Sequence, residues 1–501
     1  MARVPILSYD RGTLILHPPP KGRGWMEYAT WDDRIEKFRI PGHNYREVIE
    51  SLQQDNTDFV DKAKAFDELQ LDSQLKLEPY PHQAAALLAW KQAGRQGVIV
   101  LPTGAGKTLV AQLAMAATPR STLILVPTID LMHQWYAQLL TVFPGTEIGL
   151  LGGGSRDRSP ILISTYDSAA IQIESLGDLY GLLICDECHH LPTDFYRVVA
   201  EYSLAPYRLG LSATPERSDG RHQDLDMLLG KEVYRQTAAD LAGSALAPYR
   251  VEQIKVKLSP EELSRYHELI AERDRFLRSQ KISFGSIDGW QKFIRASCRS
   301  TEGRRAMLAH REAKEITLST NGKLRILAEI LERHYPEATL IFTSDNATVY
   351  RIAQSLLIPA ITHHTPVKER HQILTHFREG TYNVLVASQV LNEGVDVPAA
   401  SIAVILSGTA SPREYIQRLG RILRKGKADK QAVLYEVISE GTSEERVSAR
   451  RRGDMDEEKK PETNNVIQLP IRYGEFVEPA RKVAEVDPDP SPPDPDGGLR
   501  Y

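Results

Sequence analysis

Residues 97–117 read GVIVLPTGAGKTLVAQLAMAA. Four aliphatic residues open the stretch, a short turn with two glycines follows, and apolar residues at helical spacing close it. Strand, glycine turn and helix in that order form a cradle for phosphate. Gly104 and Gly106 let backbone N–H groups face an anion, and the start of the helix adds a partial positive charge. Thr103, Gly104, Ala105, Gly106, Lys107 and Thr108 are the candidate nucleotide-binding residues. Lys107 is placed to reach the β- and γ-phosphates, and the Thr108 hydroxyl to hold Mg²⁺. The GxxxxGK[ST] pattern is incomplete, because Leu101 occupies its first glycine position. A GKT in an ordinary loop is the plain alternative; the strand before it and the helix after it favour the cradle.

The same rhythm extends outward. Apolar strands STLILVP (121–127), LLICDE (182–187) and YRLGLS (207–212) alternate with helical stretches up to about residue 245. It returns between about 316 and 440 with ATLIFTS (338–344), NVLVAS (383–388), SIAVILS (401–407) and AVLYEVIS (432–439). Short apolar runs alternating with helices predict parallel sheets covered on both faces. The expected fold class is α/β, with two parallel-sheet domains in tandem over 73–250 and 251–440. Residues 1–72, with TLILH (13–17) and NYREVIESLQQ (44–54), predict a small α+β domain. The charged SEERVSARRRGDMDEEKKPE and the acidic, Pro-rich VDPDPSPPDPDGG predict a disordered tail over 441–501.

Composition narrows the classes. The chain has 501 residues, 42% of them hydrophobic and 26% charged, which suits a soluble globular protein of several domains. No apolar run reaches the roughly 18 residues of a membrane span, and MARVPILSYD lacks a signal-peptide apolar segment. Three cysteines make no disulfide framework, so a reducing, cytoplasmic setting is expected. A net charge of −4 excludes a globally basic coat for nucleic acid. Residues 271–314 break that balance locally, with eleven Lys and Arg against five acidic residues and Phe276, Phe284, Trp290 and Phe293 interleaved. A solvated helical pair with its own small core explains such a segment; nucleic-acid contact explains it equally well.

Seventy-nine residues after Lys107, the strand LLIC delivers Asp186 and Glu187 at its C-terminal end. Asp186 is expected to bind Mg²⁺ through its hydration shell, and Glu187 to orient and deprotonate an attacking water. Cys185-Asp186-Glu187-Cys188-His189 also matches the CxxCH haem spacing and half a zinc site. Haem attachment needs export, and zinc needs a second ligand pair that Cys298 cannot supply. Ser212-Ala213-Thr214 closes YRLGL, where hydroxyls can meet those carboxylates. In QRLGRILR (417–424), Arg421 and Arg424 share one helical face, suited to fingers reaching a γ-phosphate, with Gln417 and Gly420 completing the pattern. A basic exposed helix is the alternative.

This constellation resembles the superfamily 2 helicases and translocases. Nine stretches stand in the expected order: Tyr80 with Gln83, TGAGKT, VPTIDLMHQW, ISTYDS, DECH, SAT, IFTSDN, ASQVLNEGVDVP and QRLGRILR. The resemblance implies two RecA-like domains with ATP and Mg²⁺ in the cleft between them, and adenine read by Gln83. It places Asn392, Glu393, Gly394 and Asp396 near nucleotide and strand, and makes Thr128, Ser164, Thr165, Thr343 and Ser344 phosphate-backbone contacts. WDDRIEKFRI, GLSATPERSDG and the basic insertion are similar to the XPB family of DNA helicases. That likeness implies a damage-recognition-like N-terminal block, a DNA-gripping thumb at 271–314 with Arg275 and Arg278, and movement 3′ to 5′. The family's Arg-Glu-Asp motif is Arg217-Ser218-Asp219 here, a change that touches strand separation rather than ATP hydrolysis. The expectation is an ATP-dependent DNA helicase of DNA repair, sufficient as a monomer. The alternatives are a double-stranded DNA translocase and an ATP-gated clamp that recruits a nuclease or repair protein.

Overall fold

The computed structural model describes residues 4–71, 78–217, 219–284, 286, 288–388, 400–407 and 432–453. Three sheets organise them. The first, in spatial order Thr30–Asp32, Lys37–Pro41, Thr13–His17, Ile6–Asp10 and Val60–Lys62, is antiparallel except for its last pairing. The Tyr45–Gln54 helix covers it, and Leu7, Leu14, Leu16, Ile40, Val48 and Leu52 are fully buried between them.

The second sheet runs Glu232–Arg235, Gln96–Val100, Tyr207–Ser212, Leu182–Asp186, Thr122–Val126, Ile161–Thr165, Ile148–Gly152 and Ser155–Arg156. Only the terminal Ile148–Gly152 and Ser155–Arg156 pair is antiparallel. Every residue of Thr122–Val126, Ile161–Thr165 and Leu182–Asp186 is buried. Helices on both faces explain why these strands are continuously apolar rather than alternating. Parallel register carries each strand toward the same edge, so Val100, Val126, Thr165, Asp186 and Ser212 end together. That edge is where an open α/β sheet binds its ligand.

The third sheet, Tyr249–Val256, Ala432–Ser439, Ile402–Ile405, Thr339–Phe342, Val384–Ala387 and Ala360–Ile361, is parallel throughout. The expected α/β class with two parallel sheets in tandem and a small N-terminal α+β sheet is therefore observed.

The N-terminal sheet is fastened to the second one by polar contacts. The Tyr9 hydroxyl donates to the Tyr202 carbonyl at 3.2 Å, Arg46 Nη1 to the Gly94 carbonyl at 2.7 Å, and Ala65 N to the Asp178 carbonyl at 2.9 Å.

The basic insertion is a helical unit of Pro260–Ser279, Gly289–Ser297 and Thr301–Ser319. Ser259 caps the first helix through a reciprocal pair with Glu262, and Pro260 fits its first position. The unit has two small cores, one around Tyr266 and Leu269 and one around Phe276 and Phe293. His310 lies against Phe284, Trp290 and Phe293. Burial, then the Arg273 and Lys314 charges, push its pKa down from 6.5 to about 4. The folded state thus prefers neutral imidazole, and stability is lost as pH falls from about 6.5 toward 4. Thermal melts at pH 7.5 and 5.0 are expected to show a drop that His310→Phe reduces; an equal drop in both proteins refutes the assignment.

One expectation needs correction. The segment after 441 was expected to be disordered, yet Ser443–Gly453 is a helix. Glu444 is the cause. Its carboxylate accepts from Lys323 Nζ at 2.7 and 2.9 Å and from Ser439 N at 2.8 Å. Lys323 is 0% exposed and also donates to the Leu406 carbonyl at 2.6 Å. A buried ammonium requires such an acceptor set, and it secures the helix to the third sheet. Residues 454–501 lie outside the described residues.

Candidate active site

The Gln96–Val100 strand ends at Leu101, whose N–H bonds the Ser212 carbonyl at 3.0 Å and whose side chain is fully buried. The chain is still part of the sheet there, so a first-position glycine has no turn to make. The turn comes at Gly104 (φ +90°) and Gly106 (φ +81°), and Gly106 caps the Lys107–Ala117 helix. A Cβ at Gly106 would stand 2.3 Å from Gln83 Nε2, so close approach as well as backbone angle requires glycine. The Thr103 hydroxyl is buried without a hydrogen-bond partner, as is that of Thr214.

Lys107 Nζ lies 3.3 Å from the Leu101 carbonyl and 3.5 Å from Glu187 Oε1. Asp186 is held from both sides: Oδ2 accepts from the Trp135 indole N–H at 2.9 Å and Oδ1 from Glu187 N at 3.0 Å. Burial, then the Glu187 charge, push the Asp186 pKa above the ordinary carboxylate range, against Lys107 and the Trp135 hydrogen bond. Glu187 sits at φ +49°, a left-handed position that costs a residue with a side chain about 1 kcal/mol or more.

His189, 1% exposed, joins the acidic strand to the Ser-Ala-Thr segment. Its Nδ1 is 3.2 Å from Ser212 Oγ and 3.5 Å from Glu187 Oε2. Ser212 therefore meets the carboxylates through His189 rather than directly, and composition alone did not reveal this. Arg217 Nη1 donates to the His189 carbonyl at 2.7 Å, while its remaining nitrogens grip Asp219 at 2.9 and 2.6 Å. Arg217 and Asp219, expected as DNA contacts, face each other in this structure.

The other expected positions divide. Gln83 is 2% exposed; its Oε1 accepts from Tyr80 N and its Nε2 donates to the Ala105 carbonyl, both at 2.9 Å. Its amide thus braces the phosphate loop. Ser164 and Thr343 are 0% exposed, and their hydroxyls donate to the Leu151 and Asp345 carbonyls. They serve the backbone and are not available to a phosphate strand here. Thr128 and Thr165 cap the helices Ile129–Val142 and Tyr166–Gln172, and Ser344 pairs with Ser407. Arg275 and Arg278 are exposed on the helical unit. Ser218, Asn392, Glu393, Gly394, Asp396, Gln417, Arg421 and Arg424 lie outside the described residues.

The site fits a nucleotide: glycine cradle, ammonium, orphaned hydroxyls and a carboxylate pair meet at one strand edge. Among the described residues no group of three His, Cys, Asp or Glu is placed to hold a metal. Thr108 and Asp186 would be the protein's own ligands for Mg²⁺, which suits a cation that keeps water and phosphate oxygens around it.

Two parallel sheets in tandem, the first with this strand-edge site, define a nucleotide-driven motor of the superfamily 2 helicase class. The match to known proteins is narrower. Residues 7–63 match the Xeroderma pigmentosum group B helicase damage recognition domain, 76–217 the type III restriction enzyme res subunit, and 322–426 the helicase conserved C-terminal domain. A DNA 3′-5′ translocase XPB2 from Sulfurisphaera tokodaii is 40% identical over 84% of this chain and 95% of its own. The DNA 3′-5′ helicase XPB of Mycobacterium tuberculosis is 31% identical over 72% of this chain and 60% of its own. An Arabidopsis thaliana relative, general transcription and DNA repair factor IIH helicase/translocase subunit XPB2, is 27% identical over 76% of this chain and 50% of its own. The chain belongs to the XPB family. Its fold is shared by the Pyrococcus furiosus Hef helicase domain (TM-score 0.51, 21% identity, 74% of this chain and 97% of that one). S. cerevisiae Dbp5 bound to RNA and ADP BeF3 shares it too (TM-score 0.52, 16% identity, 75% of this chain and 87% of that one).

Proposed function

We propose that this protein is an ATP-dependent DNA motor that moves 3′ to 5′ and separates or tracks strands. The observation that supports it most is the convergence of Lys107, Asp186 and Glu187 on the strand edge that ends in the phosphate loop. Loop amides and Lys107 bind the phosphates; Glu187 orients a water and takes its proton. Thr108 and Asp186 would hold Mg²⁺, which would supply charge neutralisation at the transferred phosphoryl group. Arg421 and Arg424 are the proposed fingers from the second α/β domain, and Gly394 and Asp396 its nucleotide contacts. The Glu187–His189–Ser212 chain, extended by Arg217, is a path by which the state of the site reaches the segment after Thr214. Arg275 and Arg278 are proposed to grip the DNA backbone. The names of the archaeal and mycobacterial relatives support DNA as the track, and the Arabidopsis name supports work in repair beside a repair-protein partner.

A second reading, duplex translocation without unwinding, is favoured by the Arg217–Asp219 pairing and by Ser218 in the family's glutamate position. ATP hydrolysis with single- and double-stranded DNA, run beside strand displacement on 3′- and 5′-tailed duplexes, separates them. DNA-stimulated turnover with displacement from the 3′ tail alone is the expected result. Stimulation by duplex without displacement selects the second reading, and hydrolysis indifferent to DNA refutes both.

A further inference from the structure

We infer that Trp135 is a positioning residue for the metal-binding carboxylate, and that its helix ties the setting of Asp186 to the second α/β domain; the inference rests on the nucleotide site proposed above. Three tryptophans are almost completely buried: Trp25, Trp90 and Trp135. A buried indole N–H needs an acceptor. Trp25 and Trp90 find main-chain carbonyls, of Gly22 and Arg208. Trp135 instead donates to Asp186 Oδ2 at 2.9 Å, with the two side chains in neighbouring elements 51 residues apart in sequence. With Oδ1 held by Glu187 N, the carboxylate cannot rotate without breaking one of two bonds. Its remaining lone pairs therefore keep one direction. Donors of this kind orient metal ligands and set affinity for the ion.

The same helix, Ile129–Val142, has two further attachments. Thr128 caps its N-terminus, where the sequence resemblance puts a phosphate-backbone contact. Asp130 accepts from Arg370 Nη1 at 2.8 Å, and Arg370 lies on the Val367–Arg378 helix beside the third sheet. Trp135 stands seven residues after Thr128, two helical turns along the same face. A helix about 21 Å long thus links its capped N-terminus and the second α/β domain to the indole that sets Asp186. A shift at either attachment moves the Nε1 donor.

The test replaces Trp135 with phenylalanine and, separately, with benzothienylalanine, which keeps the two-ring shape and lacks only the N–H. Circular dichroism and thermal melts check that each protein is folded. Mn²⁺ binding to the ADP-loaded full-length protein is read by electron paramagnetic resonance, and fluorescent ADP binding is read in EDTA. The expected result is Mn²⁺ affinity lower by about 10–100-fold with metal-free ADP affinity unchanged. Arg370→Ala, which breaks the bond to Asp130, is expected to lower Mn²⁺ affinity in the same direction. Unchanged Mn²⁺ affinity in the benzothienylalanine protein, an equal fall in metal-free ADP binding, or unchanged Mn²⁺ affinity in Arg370→Ala overturns the inference. A wild type that binds no Mn²⁺–ADP overturns the nucleotide site itself, which keeps the two failures apart.

Discussion

Glu187→Gln is expected to lower DNA-stimulated ATP hydrolysis by about 10²–10⁴-fold while nucleotide binding persists. The substitution is isosteric, so the left-handed backbone at Glu187 and the Asp186 hydrogen bond to its N–H stay in place. The amide cannot take a proton from water, and it no longer offers Lys107 a negative charge 3.5 Å away. Lys107 is left free to hold the phosphates, so ATP binding should be equal or tighter. Phosphate release and fluorescent-nucleotide binding, measured on the same protein, check both halves. Turnover within twofold of wild type would remove Glu187 from the reaction.

Glu444→Ala carries the largest expected effect on stability. The substitution leaves the Lys323 ammonium, fully buried, with the Leu406 carbonyl in place of a two-oxygen carboxylate contact. Breaking a buried pair from one side costs about 3–5 kcal/mol. The midpoint of the unfolding transition that includes the third sheet should fall accordingly in urea. Replacing both partners together, Lys323→Met with Glu444→Leu, should restore most of the loss, because no charge is then stranded. A single-variant change below about 1 kcal/mol would show that the pair behaves as an exposed one.

The fold and the site differed in how far they could be read in advance. The parallel strands were legible because burial on both faces leaves long aliphatic runs, such as STLILV and LLIC. The phosphate loop was legible because a strand, two glycines and GKT stand in a single stretch. Leu101 replaces the first glycine without penalty because its N–H still bonds the neighbouring strand. Contacts made across the chain were harder. Trp135 reads as an ordinary core residue at helical spacing, and only the folded sheet brings it to Asp186. Ser164 and Thr343 sit at strand ends, where a hydroxyl can face solvent or backbone with the same sequence. The 443–453 helix was missed because its composition is that of a charged surface. Its buried carboxylate, Glu444, meets a lysine 121 residues earlier in the chain.

The polar seam between the N-terminal sheet and the motor has a mechanical meaning. Tyr9, Arg46 and Ala65 fix that sheet at three separated points, on Tyr202, Gly94 and Asp178. Anchors spread from Tyr9 to Ala65 resist a swing of the block about any one of them. The block is thereby held to the same α/β domain that carries the phosphate loop. A load met by the N-terminal sheet is then passed to that domain rather than taken up in a linker.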